Sequence, residues 1–216
     1  MPDFRAQRLN MVDSQVRAND VTDVRIQDAM REVPRERFVP TAEQAVAYAD
    51  TIVEIVPGRF LLDPRTFSKL AEIAEIEPTD RVLDVGCASG YSTAVLSRLA
   101  HEVIGLEEDA ELVRVASDLL PALGFAPRVV QGKLGDGHAA GAPYNVIFVN
   151  GAIEELPPTL ERQLAEGGRL VAIRRQGPQG RGCLFLRENG RMSSRADFDA
   201  AVPLLPGFSR PKSFVF

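Results

Sequence analysis

The segment Arg81-Val82-Leu83-Asp84-Val85-Gly86-Cys87-Ala88-Ser89-Gly90-Tyr91 decides the fold of this chain. Its first half, Arg81–Val85, is a short apolar run of the kind that forms a buried strand. Gly86 and Gly90 let the backbone turn sharply behind that strand and approach a ligand closely. A helix that begins at Tyr91 would point its N-terminus at the same ligand. Strand, glycine loop and helix in this order predict a nucleotide-binding unit.

Strands and helices alternate on the C-terminal side of this segment. Short β-branched or leucine-rich runs predict strands over Arg81–Val85, Glu102–Glu107, Arg128–Gln131, Asn145–Asn150 and Arg169–Arg174. Helical stretches separate them near residues 91–100, 110–123, where Gly124 fits the end, and 157–166, where Pro157-Pro158 fits the start. The alternation predicts an α/β fold with a mainly parallel sheet and helices on both faces.

The C-terminal end of the sheet should be antiparallel. Asn189-Gly190 is a strong turn signal flanked by the segments Cys183–Glu188 and Arg191–Ala196, and it predicts a hairpin. Gln176–Gly182, which holds three Gly and one Pro, predicts a loop before that hairpin. This loop is too short to be a domain linker, so nothing in the α/β part indicates a second domain.

The N-terminal 78 residues are predicted to be helices joined by proline breaks. The capping signals are Thr22 before a helix that Pro34 ends, Thr41 with Gln44 before Ala42–Ala49, and Asp63-Pro64 before a helix that stops at Pro78. A chain of 216 residues is the ordinary size of one domain. We therefore predict a single domain over 1–216, with a helical cap over 1–78 and an α/β core over 79–216.

The composition excludes several classes of protein. Lys and Arg total 25 against 30 Asp and Glu, and this net charge of -5 argues against a nucleic-acid partner. The two cysteines and two histidines lie far apart, so no disulfide framework or metal site is predicted. Neither a signal peptide nor a membrane span is visible, so we expect a cytoplasmic protein without a membrane partner. Seven Arg against one acid over 169–195 are interpreted as solvated strand faces.

Two acidic residues limit the class of ligand that this site can bind. A dinucleotide fingerprint that starts at Gly86 would need glycines where Ala88 and Tyr91 stand. Asp84 at the strand tip would repel a pyrophosphate but attract an ammonium or sulfonium group. Glu107 ends the next strand, where its carboxylate can accept hydrogen bonds from both ribose hydroxyls. These charges predict S-adenosylmethionine.

Alternatives remain open at this site. Glu108 or Asp109 could take the role of Glu107 if the strand end lies one or two residues further on. Asp84 and Glu107 could also simply end strands in solvent, with glycines that only make a turn. Cys87 is interpreted as a small packing residue and not as a nucleophile.

The chain resembles the protein-L-isoaspartate O-methyltransferase family in several segments. They are Val33–Pro40 (VPRERFVP), Ala47–Asp50 (AYAD), Val82–Tyr91, Ala94–Leu96, Pro143–Val149 and Gln163–Leu170. The resemblance implies a Rossmann-like class I methyltransferase fold, S-adenosylmethionine as methyl donor, and an isoaspartyl side chain of a damaged protein as acceptor. The cofactor-binding positions that it implies are Asp84, Gly86, Cys87, Ala88, Gly90, Glu107, Gly132 and Lys133.

The chain departs from the family pattern in Phe60-Leu61-Leu62-Asp63-Pro64. Family members carry Thr-Ile-Ser, one further residue and Pro here, and the serine belongs to their active site. Leu62 stands at the position of that serine and Phe60 at that of the threonine, so no catalytic residue is assigned. Arg59 and Arg65 flank the altered segment and could bind an acceptor carboxylate, with Arg65 as the site candidate.

A second departure concerns the loop after the third strand of the α/β part. Gly135-Asp136-Gly137 looks like the family's Gly-Asp-Gly, but Gly132-Lys133-Leu134 follows the predicted strand directly. We favour Lys133 near the adenine because short loops are commonest, and Asp136 stays as the alternative.

Three functions are compatible with these residues. The first is an isoaspartyl carboxyl methyltransferase, and the second is a methyltransferase with another acceptor, which Leu62 favours. The third is a catalytically inactive binding protein. The oligomeric state is not predicted.

Overall fold

A computed structural model describes residues 3–210, and nine strands lie in this part of the chain. They are β1 Val53–Val56, β2 Arg59–Leu61, β3 Arg81–Val85, β4 Glu102–Glu107, β5 Arg128–Gln131, β6 Tyr144–Ile153, β7 Leu164–Gln176, β8 Gln179–Glu188 and β9 Arg191–Asp199. The α-helices are α1 Phe4–Met11, α2 Val24–Glu32, α3 Pro64–Ala74, α4 Tyr91–Leu96, α5 Ala110–Ala122 and α6 Pro158–Gln163. A π-helix over Val12–Val16 follows α1, and short 3-10 helices lie between several of the other elements.

Seven strands form one sheet in the order β5-β4-β3-β6-β7-β8-β9. The first five are parallel, and the last two pairs, β7 with β8 and β8 with β9, are antiparallel. Both features confirm the sequence prediction. Since parallel strands end at the same edge, the residues that follow β3, β4, β5 and β6 gather at one side of the molecule.

The C-terminal hairpin turns at Asn189 and Gly190, whose φ values of 53° and 69° match the expected turn. The loop predicted over Gln176–Gly182 is wrong. β7 runs through Gln176 and β8 begins at Gln179, so only Gly177 and Pro178 connect them. Two of the three glycines that suggested a loop, Gly180 and Gly182, lie within the paired strand β8; at Gly182 a Cβ would collide with the Phe198 ring.

The N-terminal part is less helical than predicted. β1 and β2 form a two-stranded antiparallel hairpin that the sequence interpretation missed. Thr41–Val46 is a 3-10 helix without a side-chain cap, which replaces the helix predicted over Ala42–Ala49. The N-cap of α2 is Asp23 and not Thr22.

Thr22 instead donates its hydroxyl to Glu72 in α3, at 2.8 Å. This contact explains the wrong cap: the hydroxyl has a stronger acceptor in another helix. Asp63, by contrast, caps α3 as predicted, since its side chain accepts from the Thr66 amide at 2.8 Å and Pro64 opens the helix.

Side chains alternate between the two faces of the sheet, and each face carries its own apolar cluster. One face packs under α1 to α5 and includes Met30, Phe67 and Phe148, while the other packs against α6 and the C-terminal segment through Leu160 and Phe208. The N-terminal helices thus share a cluster with the sheet, which favours one unit, and the single domain stays a prediction. No helix within residues 3–210 is long and apolar enough to cross a membrane.

Candidate functional site

The loop between β3 and α4 makes the sharp turn that its glycines predict. Gly86 and Gly90 have φ values of 76° and 97°. Ala88 also adopts a positive φ of 48°, a conformation that costs a residue with a Cβ about 1–2 kcal/mol. The amide of Gly86 donates to the Leu106 carbonyl at 2.8 Å, which holds the loop against the end of β4.

Asp84, the penultimate residue of β3, is fully buried. It accepts hydrogen bonds from the Ser92 hydroxyl at 2.7 Å, the Thr93 hydroxyl at 2.5 Å and the Asn150 amide at 2.5 Å. Burial raises the pKa of Asp84 to about 6, although these three donors oppose the rise. The carboxylate therefore ties β3 to α4 and β6, and its charge would act on a ligand from within the protein rather than by direct contact.

Glu107 ends β4 and is also fully buried. Its Oε1 accepts from the amides of Glu108 at 2.8 Å and Asp109 at 3.1 Å, and its Oε2 accepts from the amide of Ala88 at 2.8 Å. Glu108 is exposed, and the Asp109 side chain caps α5. Of the three acids considered, the structure brings Glu107 to the glycine loop.

Arg59, the first residue of β2, contacts Glu107 through two nitrogens on one edge of its guanidinium group. Nε donates to Oε1 at 3.1 Å, and Nη2 donates to Oε2. Nη2 also lies 3.2 Å from the position that a Cβ on Gly86 would take, and Leu205 lies 3.3 Å from it. Arg59 thus fills the space between the ribose-binding candidate and the loop, a position that sequence reasoning did not foresee.

Arg65, the site candidate from the sequence, points elsewhere. Its Nε donates to Asn19 at 3.1 Å and its Nη1 to the Asp199 carbonyl at 3.3 Å, and the guanidinium lies over the Phe198 ring. The structure thus directs Arg65 to β9 and the N-terminal segment, and Arg59 to the loop. That Arg65 binds an acceptor carboxylate stays a prediction.

Leu62 is buried in the apolar cluster beneath the N-terminal helices. Its carbonyl accepts from Nη2 of Arg35 at 2.7 Å, and Arg35 also donates to the Ala47 carbonyl at 2.6 Å. Phe60 is half-buried and pairs with Glu54 across the β1-β2 hairpin. Arg35 is a residue that the sequence analysis quoted without a role; its position in a turn gave no sign that it is fully buried.

The loop after β5 keeps both adenine candidates at the same edge. Gly132 follows β5 directly, and its amide donates to the Glu107 carbonyl at 3.0 Å. Lys133 comes next and is exposed. Asp136 lies one 3-10 turn later, where its carbonyl accepts from Gln163 at 2.7 Å. The shorter path from β5 supports Lys133, and the role of either residue stays a prediction.

Cys87 behaves as the packing residue that the sequence indicated. It is buried, and burial raises the pKa of its thiol, so it is not a ready thiolate nucleophile.

These residues fit S-adenosylmethionine with one exception. The strand ends, the positive-φ loop and the buried acid Glu107 form the kind of pocket edge that a cationic nucleoside requires. The exception is Arg59, because Glu107 accepts from five donors and a carboxylate offers about four lone-pair sites. Arg59 therefore occupies the two carboxylate oxygens at which ribose hydroxyls would be accepted.

The architecture and this loop define a class I methyltransferase, an S-adenosylmethionine-dependent class of enzyme. The model for the family "Protein-L-isoaspartate(D-aspartate) O-methyltransferase" matches residues 6–197. The chain belongs to this family, whose members use S-adenosylmethionine.

Relatives and a solved structure agree with this membership. The chain is 39% identical over 209 residues to a protein-L-isoaspartate O-methyltransferase of Methylorubrum populi, covering 94% of this chain and 96% of the relative. It is 40% identical over 169 residues to one of Koribacter versatilis, covering 78% and 76%. A structure from Plasmodium falciparum, described as a candidate enzyme of this kind in complex with S-adenosyl-L-homocysteine, has the same fold. Its TM-score is 0.78 at 21% identity, covering 92% of this chain and 97% of that one.

Proposed function

We propose that this protein transfers a methyl group from S-adenosylmethionine to the side-chain carboxylate of an isoaspartyl residue in a protein or peptide. The observation that supports the proposal most is the position of Glu107. This buried acid ends β4 and accepts a hydrogen bond from the amide of Ala88 in the glycine loop, in a chain that belongs to the family. A nucleic-acid or membrane partner is not part of the proposal, and the cytoplasmic location stays a prediction.

In the proposed reaction the residues of the site bind the cofactor and exclude water, and none acts as a general base. Bound S-adenosylmethionine supplies a methyl group on a sulfonium, which a carboxylate attacks without a general base. Glu107 would accept hydrogen bonds from the ribose, while the loop from Gly86 to Gly90 would contact the rest of the nucleoside. Leu205 and the C-terminal segment pack over the same edge, where they would exclude water from the reacting groups.

The direct test is transfer of radiolabelled methyl from S-adenosylmethionine to a peptide that contains one isoaspartyl residue. The same peptide with an ordinary aspartyl residue is the matched control. We expect label only on the isoaspartyl peptide, in a form that mild base releases as methanol because the product is a methyl ester. Equal labelling of both peptides, or of neither, contradicts the proposed acceptor.

Leu62 favours a second candidate, a methyltransferase of the same fold with a different acceptor. A buried leucine cannot donate the hydrogen bond that the family serine supplies, and a contact of that kind to a charged group is worth about 1.5–3 kcal/mol. If isoaspartyl is the acceptor, Leu62→Ser should raise transfer to the peptide about tenfold or more.

Leu61→Ser is the matched control, since Leu61 is the neighbouring buried leucine and its replacement removes similar apolar volume. We expect it to lower transfer or leave it unchanged. Labelling of another acceptor by the wild type, with none of the isoaspartyl peptide, would establish the second candidate instead.

A further inference from the structure

The pair of Arg59 and Glu107 is unusual in its burial. The side chain of Arg59 is 7% exposed and that of Glu107 is 0% exposed, and they are 48 residues apart in sequence. Removing two charges from water is costly unless every hydrogen-bonding group of both is satisfied. The carboxylate meets this condition, because it accepts from five donors.

The guanidinium group does not meet it. Nη1 of Arg59 is buried and has no hydrogen-bond partner among residues 3–210. The two satisfied nitrogens of Arg59, Nε and Nη2, donate to the carboxylate at the end of β4, where a ribose would otherwise bind.

We propose that Arg59 is an internal ligand of Glu107, which the ribose of the cofactor must displace, so that Arg59 sets the affinity for S-adenosylmethionine and its product. This inference rests on the proposed function. Its physical basis is competition: the guanidinium group and the ribose hydroxyls are donors to the same two carboxylate oxygens, and both sets cannot be accepted together.

The hairpin that carries Arg59 is built to permit the exchange. β2 has three residues and pairs only with β1, outside the seven-stranded sheet. Gly58, which precedes Arg59, is exposed and has a φ of 79°, with no atom within 4 Å of the position that a Cβ would take. Movement of this hairpin away from Glu107 would break no hydrogen bond within the seven-stranded sheet.

The test is calorimetric titration of the full chain with S-adenosylhomocysteine, which binds without turnover. Arg59→Gln should tighten binding at least tenfold, and Arg59→Lys, which keeps the charge but loses the two-pronged contact, should give a smaller gain. The matched control is Arg81→Gln, because Arg81 pairs with Glu102 at the opposite ends of β3 and β4. We expect that control to stay within twofold of the wild type.

A double-mutant cycle separates competition from a general effect on folding. In a Glu107→Gln background the gain from Arg59→Gln should fall below twofold, because the shared acceptor is altered. Far-UV circular dichroism checks the folding of each variant. If Arg59→Gln does not fold, the wild type still decides the question: its crystal structure with S-adenosylhomocysteine should show Arg59 away from Glu107.

The outcomes distinguish the two proposals. Unchanged or weaker binding by Arg59→Gln, or Arg59 still paired with Glu107 beside a bound ribose, overturns the inference and leaves the proposed function intact. Binding by neither the wild type nor any folded variant overturns the proposed function together with the inference.

Discussion

The carboxylate of Asp84 lies in the interior with the donors of Ser92, Thr93 and Asn150 around it. These contacts join the tip of β3 to α4 and β6 and so fix the edge at which the candidate site lies. The sequence indicated an acid at this tip, but it placed the charge in contact with a ligand. The burial that the structure shows has a measurable consequence for stability.

We predict that Asp84→Asn removes a pH-dependent loss of stability. The native pKa of about 6 lies above the unfolded value of 3.8, so the native state holds this proton more strongly between those pH values. The contribution of Asp84 to stability is therefore greatest below about pH 4, falls as the pH rises to about 6, and is constant above that. Between pH 4 and pH 7 the difference in unfolding free energy should therefore change by about 3 kcal/mol in favour of the variant.

Urea unfolding of both proteins at several pH values between 4 and 8 measures this difference. Asparagine has the same shape, and the two hydroxyls can accept from its amide, so the packing is preserved. A difference between variant and wild type that does not change with pH would contradict the raised pKa.

Arg35 shows how one side chain joins several elements. It lies in the 3-10 turn Arg35–Phe38, donates to the carbonyls of Ala47 and Leu62, and lies 4.9 Å from the centre of the Tyr91 ring. Through these contacts it connects the turn, the segment before β1 and the loop between β2 and α3. The position of Leu62 thus depends on Arg35.

We predict that Arg35→Met lowers the free energy of unfolding by about 3 kcal/mol or more, because two buried carbonyls lose their donor. Arg37→Met is the control, since Arg37 lies in the same turn but is exposed, and it should change stability by about 0.5 kcal/mol or less. Chemical unfolding followed by circular dichroism measures both. Equal effects of the two substitutions would show that burial of Arg35 does not contribute.

The β1-β2 hairpin was not predicted from the sequence because its strands are short. Its strands have four and three residues, too few for alternation to stand out beside the proline breaks of the helical segments. The signal that could have found it is Pro57-Gly58, a turn dipeptide between two apolar runs. Arg59, the first residue of β2, lies at the end of β4 in contact with Glu107.

Over the whole molecule, charge is balanced between distant segments. At least five of the seven arginines in 169–195 form ion pairs with acids of other elements. The pairs are Arg169 with Asp80, Arg175 with Glu154, Arg181 with Asp199, Arg187 with Glu166 and Arg195 with Glu75. A local excess of positive charge in the sequence is therefore partly compensated in space, where a count along the chain cannot show it.

We predict that the described part of the chain unfolds in one transition. Met11 and Met30 of the N-terminal segment share an apolar cluster with Phe148 and Val171 of the sheet, so neither part can unfold without exposing the other. Far-UV circular dichroism and tyrosine fluorescence, in a chain with three Tyr and no Trp, should give the same midpoint. Two separate midpoints would contradict the single domain.

Arg169→Met provides a further check on this coupling. Arg169 donates from β7 to the carbonyls of Ala74 and Glu75 at the end of α3, at 2.7 and 2.8 Å. Its loss should lower both midpoints together, because it weakens the contact between the N-terminal segment and the sheet.

The sequence by itself determined the α/β class, the strands β3, β4 and β5 to the residue, the hairpin at Asn189-Gly190 and the cap at Asp63-Pro64. These depend on periodicity and on backbone preferences of residues close together in the chain. Only the tertiary structure decided that Asp84 is sealed by protein donors, that Arg65 points away from the site and that Arg59 binds Glu107. Which partner a charged side chain meets depends on chain segments brought together by folding, and a carboxylate 48 residues away leaves no mark on the local pattern around an arginine.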